Sequence, residues 1–172
     1  MRIHLLRAVN VGGAKLPMAR LREIAADLGA TDVQTYIASG NLIADVPAGF
    51  DRALEQAIEK EFGFFREVIS RSHDEVVAAR AAHPFEVVEP KYSYVSFCLD
   101  APTTAGIEKA RTFATGDDRW EVIGRELHLR YADGAGRSQM KDASIGRALS
   151  VPTTARNLNT VDKLIELSAP SD

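Results

Sequence analysis

VQTYIASGNLIADV, residues 33–46, holds two short β-type runs, 33–38 and 42–46, with only Ser39-Gly40-Asn41 between them. These turn residues accept the positive φ of a tight turn, so the two runs read as a hairpin. Upstream, Met18, Leu21, Ile24, Ala25 and Leu28 recur at helical spacing between Pro17 and Gly29, which mark a helix start and stop. Before that helix, residues 3–9 form a run with apolar side chains on both faces, the pattern of a central strand. Downstream, Leu54, Ala57, Ile58 and Phe62 define a second helix ending at Gly63, and residues 65–71 make a fourth strand. The order is β-α-β-β-α-β, a ferredoxin-like pattern.

Ser72-His73-Asp74-Glu75 is a capping box ahead of a further helix reaching about Ala82, and it explains Ser72 and Glu75 without acid–base chemistry. The stretch 86–91, with Pro84 and Pro90 beside its ends, reads as a hinge between residues 1–85 and residues 92–172. A strand at 93–99, a helix at about 103–114 and a hairpin at 120–123 and 126–131 repeat the β-α-β-β order. A glycine-rich loop at 133–138 follows, then a helix at 140–149 and a polar segment, 153–157, leading into a last helix striped by Leu158, Val161, Leu164 and Ile165. The expected fold is α+β: two ferredoxin-like halves packed together with extra C-terminal helices. No residue-level repeat is visible between the halves, so duplication is suggested by topology alone.

The 172 residues are 45% hydrophobic and 26% charged, an ordinary globular composition. A net charge of −3 argues against a module devoted to gripping phosphate backbones. Cys98 is the single cysteine, which excludes an internal disulfide and a paired-cysteine zinc site and suits a reducing cytoplasm. No apolar run approaches the roughly 20 residues of a membrane helix, and the start has no signal-peptide core. His4 and His128 lie on strands without metal-spaced partners, and no nucleophile elbow or zinc-protease pair occurs, so neither a metal nor a cofactor is expected.

Three polar segments could bind an anion. Asn10, Gly12, Gly13 and Lys15 join a central strand to a helix start, where backbone amides and the helix dipole favour negative charge. The plainer reading is a tight strand-to-helix turn. The loop with Arg137 and Ser138 is the second segment, and Thr154, Arg156 and Asn157 form the third, where a helix cap at Thr154 or Asn157 is the plainer reading. The aromatic signature of the RNA-binding module that shares this topology is absent, and Tyr92, Tyr94 and Phe97 read as packing residues.

Leu6-Arg7-Ala8-Val9-Asn10-Val11-Gly12-Gly13 with Leu16-Pro17-Met18, Thr35 to Asn41, Gly136-Arg137-Ser138 and Thr154 to Val161 together resemble the bacterial family of domain of unknown function 1697. Ala8 stands where that pattern usually has glycine, and Leu158 where it often has tryptophan. The resemblance implies a ferredoxin-like α+β fold and no established activity. It draws attention to Asn10, Gly12, Gly13, Lys15, Ser39, Asn41, Arg137, Arg156 and Asn157, which are expected to line one cleft for a small ligand bearing phosphate or carboxylate. The rival reading is a nucleic-acid or protein-interaction module without catalysis, since residues 119–163 carry eight basic side chains against five acidic ones. No carboxylate or histidine is placed by motif as a general base, and the sequence sets no oligomeric state.

Overall fold

The sheet of the first half is built around its first strand. A computed structural model describes residues 1–170. There β1 (Arg2–Leu6), α1 (Met18–Asp27), β2 (Thr31–Tyr36), β3 (Asn41–Asp45), α2 (Phe50–Phe62) and β4 (Val68–Ser72) follow in the order expected. The strands form one four-stranded antiparallel sheet, β2-β3-β1-β4, with the 33–46 hairpin as the β2–β3 pair. The two apolar faces of β1 account for its central place. Leu6 joins Leu42, Ala44 and Val68 under Leu21, Ile24, Leu54 and Ile58 of the two helices, while Ile3, Leu5, Ile43 and Ile69 are fully buried on the opposite face. Burial of this order is the main term holding the sheet to its helices. β1 stops at Leu6 instead of Val9, because Ala8 (φ 52°) and Asn10 (φ 57°) turn left-handed and end the ladder.

The second half repeats the plan. β5 (Ser93–Cys98), α4 (Thr104–Arg111), β6 (Arg119–Ile123), β7 (Glu126–Arg130), α5 (Asp142–Leu149) and β8 (Thr153–Asn157) form the antiparallel sheet β6-β7-β5-β8. Leu127, Leu129, Trp120 and Cys98 pack with Ile145 and Leu149 on its helix-covered face. β8 corrects the sequence reading, which took 153–157 only as a polar lead into a helix. Its alternation is Thr154 and Arg156, both buried, so the side chains that mark its inner face are polar and give no apolar period.

α3 (His73–Ala81) follows β4, and α6 (Leu158–Ser168) follows β8. Each half is therefore β-α-β-β-α-β-α, and the registers correspond position by position. Ile3 pairs with Ile43 and Arg71, and Val95 with His128 and Arg156. Arg71 and Arg156 are both buried, and each Nη1 donates to the preceding carbonyl, of Ser70 or Ala155, at 2.9 Å. The next residue caps the trailing helix in each case: Ser72 Oγ accepts from the Glu75 amide at 3.1 Å, and Asn157 Oδ1 from the Thr160 amide at 2.9 Å. The Glu75 carboxylate completes the predicted capping box on the Ser72 amide at 2.7 Å. Residue-level correspondence exists after all, and RSHDEV (71–76) and RNLNTV (156–161) share only their Arg and Val, which is why the sequence hides it.

Among the described residues the chain forms two compact units, one of Met1–Val76 with residues 164–170, the other Val77–Lys163. It passes from one to the other inside α3 and again inside α6. The stretch 86–91 lies within the second unit and runs into a 3₁₀ turn at Pro90–Tyr92.

Candidate functional site

In the first unit, the loop after β1 is held against the β2–β3 turn. Asn10 Nδ2 donates to the carbonyls of Leu16 (2.9 Å) and Ala38 (2.6 Å), and its Oδ1 accepts from the Leu16 amide at 2.8 Å. Gly40 (φ 80°) permits the approach, since a Cβ there would lie 2.5 Å from Val9 Cγ2 and 2.9 Å from Leu6 Cβ. Asn41 is fully buried and donates to the Tyr36 carbonyl and to Ser39 Oγ. Asn10, Ser39 and Asn41 are thus brought together, engaged in shaping the turn, while Gly12, Gly13 and Lys15 face solvent. Ile37 takes φ 49°, a backbone state that β-branched residues rarely adopt.

The other three predicted residues belong to the second unit. Arg137 is exposed in a 3₁₀ turn, Ala135–Arg137. The loop before it is tied down by Asp118, whose carboxylate accepts from the Ala132 amide at 2.7 Å and from Ser138 Oγ. Arg156 lies on the strand β8, 6% exposed, where it also donates to Thr154 Oγ1 at 2.7 Å. Burial pulls its guanidinium down to about 10, so it stays charged at neutral pH. Asn157 is the helix cap described above.

A groove between α4 and α5 gathers charge that the sequence reading did not assemble. It has a volume of about 680 Å³, within the range of small-molecule sites. Lys109, Lys141 and Arg147 line it together with the polar Thr112, Gln139 and Ser144, and no acidic residue does. Phe113, Met140, Ile145 and Ala148 supply its apolar part. Lys141 Nζ donates to the Ser138 carbonyl at 2.7 Å and Arg147 Nη2 to Ser144 Oγ at 3.0 Å; among the described residues none of the three cations is ion-paired. Gly106 sets how closely the helices approach, since a Cβ there would meet the Ala148 carbonyl at 2.9 Å. Only helix packing unites Lys109 with Lys141 and Arg147, so no linear motif announces the groove.

Three of the four histidines form two separate arrangements. His4 Nδ1 lies 2.6 Å from Asp51, whose other oxygen accepts from Ser70 Oγ at 2.5 Å. Burial pushes the Asp51 carboxyl up, but these hydrogen bonds outweigh it and hold the group below the usual carboxylate range. His83 and His128 meet through their Nδ1 atoms at 3.3 Å, one donating and the other accepting. Burial, with His83 alongside, pulls His128 down to about 4, so both rings are neutral at pH 7. Among the described residues no group of three His, Cys, Asp or Glu side chains is placed to hold a metal ion, and no helix is long and apolar enough to cross a membrane.

The solved structure of the conserved bacterial protein SP0830 from Streptococcus pneumoniae is similar over 98% of both chains, with a TM-score of 0.69 and 22% identity, a likeness of fold. No curated protein matches the sequence. A family model described as a protein of unknown function, DUF1697, matches residues 1–128, which takes in the loop after β1 and the β2–β3 turn but neither Arg137 nor 154–161. With that match over most of its length, the chain belongs to the DUF1697 family of proteins of unknown function.

Proposed function

We propose that this protein binds a small organic anion bearing phosphate or carboxylate, and that the α4/α5 groove is where it does so. The observation that carries the reading is the meeting of Lys109, Lys141 and Arg147 in one groove with no acidic lining. Cations so placed repel one another, and a bound anion relieves that repulsion through charge-assisted hydrogen bonds to the ammonium and guanidinium groups. The loop residues Gly12, Gly13 and Lys15 are solvent-exposed and form the competing location. The same reading puts the protein in a reducing cytoplasm, in keeping with one buried thiol, Cys98.

Calorimetric titration with phosphorylated and carboxylated metabolites is expected to find saturable binding that weakens at least tenfold in Lys141→Ala and in Arg147→Ala, both solvent-exposed positions. Lys15→Ala is expected to leave it unchanged. Loss of binding in Lys15→Ala alone would move the site to the loop after β1. Retardation of nucleic acid with a steep salt dependence, in place of small-molecule binding, would favour the interaction-module reading.

A further inference from the structure

We infer that the ligand of the α4/α5 groove is an amphiphilic anion, a single phosphate or carboxylate head on an alkyl or aryl body, an inference that rests on the anion-binding reading above. The fold supplies its own comparison. Because the two halves share one plan, α1 and α2 of the first unit correspond to α4 and α5 of the second, and a groove lies between the helices in each.

The α1/α2 groove, about 390 Å³, is lined by charges of both signs, Arg20 and Lys60 with Asp27 and Glu61. There Arg20 grips Glu61 through Nε and Nη2 at 2.7 and 2.8 Å and reaches Glu23 through Nη1 at 2.8 Å. That groove is electrically closed by its own side chains. The corresponding groove in the second unit has three cations and no acid. An unpaired positive lining is therefore not a by-product of the fold, which produces a charge-balanced groove just as readily.

The lining also fixes what the ligand must carry besides charge. The half-buried Phe113 and the exposed Ala114 present apolar surface to the groove, over a floor of Met140 and Ile145 that the core already buries. A bare inorganic anion would leave that apolar surface in water, and an uncharged lipid would leave the cations without a counter-charge. A molecule with both parts satisfies both sets of side chains. The occupant is a free small molecule, because a volume of about 680 Å³ suits one such ligand.

Calorimetry with inorganic phosphate and with butyl, hexyl and octyl phosphate tests this. Affinity is expected to rise along the series by about fourfold for each methylene that becomes buried, with hexyl phosphate at least tenfold tighter than inorganic phosphate. Arg147→Ala and Lys141→Ala are expected to weaken every member. Inorganic phosphate binding as tightly as hexyl phosphate, still sensitive to these substitutions, would overturn the amphiphile and leave the anion reading standing. No binding of any phosphate, or of hexanoate, would overturn both. Sedimentation with anionic phospholipid vesicles, without binding of the soluble alkyl phosphates, would overturn the free-ligand inference in favour of a membrane surface.

Discussion

Ala8 sits at φ 52° on an exposed stretch of backbone, a conformation that costs an L-residue roughly 1–2 kcal/mol and a glycine almost nothing. Its Cβ makes the departure from the family pattern, noted in the sequence, physically meaningful. Ala8→Gly is expected to raise stability by about 1 kcal/mol, less whatever the freer unfolded chain takes back, and a urea midpoint checks it. His128 gives a pH dependence with a definite sign. Folded His128 titrates near 4 and an unfolded histidine near 6.5, so the unfolded chain takes up the proton first. Its contribution is complete above about pH 6.5 and is lost as pH falls toward 4, on the order of 3 kcal/mol in all. In His128→Leu the slope of stability against pH across that window is expected to flatten, as measured by denaturation at successive pH values. At this scale the candidate residues were unevenly legible. Asn10, Asn41 and Asn157 stand out in the sequence because polar side chains at turns and caps are conspicuous, and they prove to bind backbone. Lys109 and Arg147 look like ordinary surface charges until the helices pack.

Between α4 and α5 the governing element is Gly106. In an open helix an alanine there would be favoured by up to about 1 kcal/mol. Here its Cβ would lie 2.9 Å from the Ala148 carbonyl and 3.1 Å from Leu149 Cα, rigid backbone atoms that must give way. Gly106→Ala is expected to destabilise by about 1–3 kcal/mol in chemical denaturation and to alter the groove beside it. The elements themselves were mostly legible from period, since α1, α2 and the hairpins carry clear apolar stripes bounded by glycine. β8 was not, because its buried positions are Thr154 and Arg156 and its partner strand, not its own composition, makes it a strand. The internal correspondence was hidden for a related reason: register and capping are conserved between the halves by geometry, which several residue types satisfy equally.

At the scale of the whole chain, the passage through α3 and α6 means that the first unit is discontinuous: it includes residues 164–170. Within that unit, Gln34 Nε2 donates to the Leu167 carbonyl at 3.1 Å, and His73 Nδ1 meets the buried Ser168 Oγ at 3.0 Å. Ending the chain after Lys163 is expected to destabilise the first unit, with protease cutting in residues 1–76 as the readout. During synthesis the order of completion is inverted. Domains ordinarily close in the order in which they leave the ribosome. Here the unit that emerges second is contiguous and can close as soon as Lys163 is free, whereas the unit that emerges first must wait until the C-terminal half of α6, up to Ser168, has followed it out.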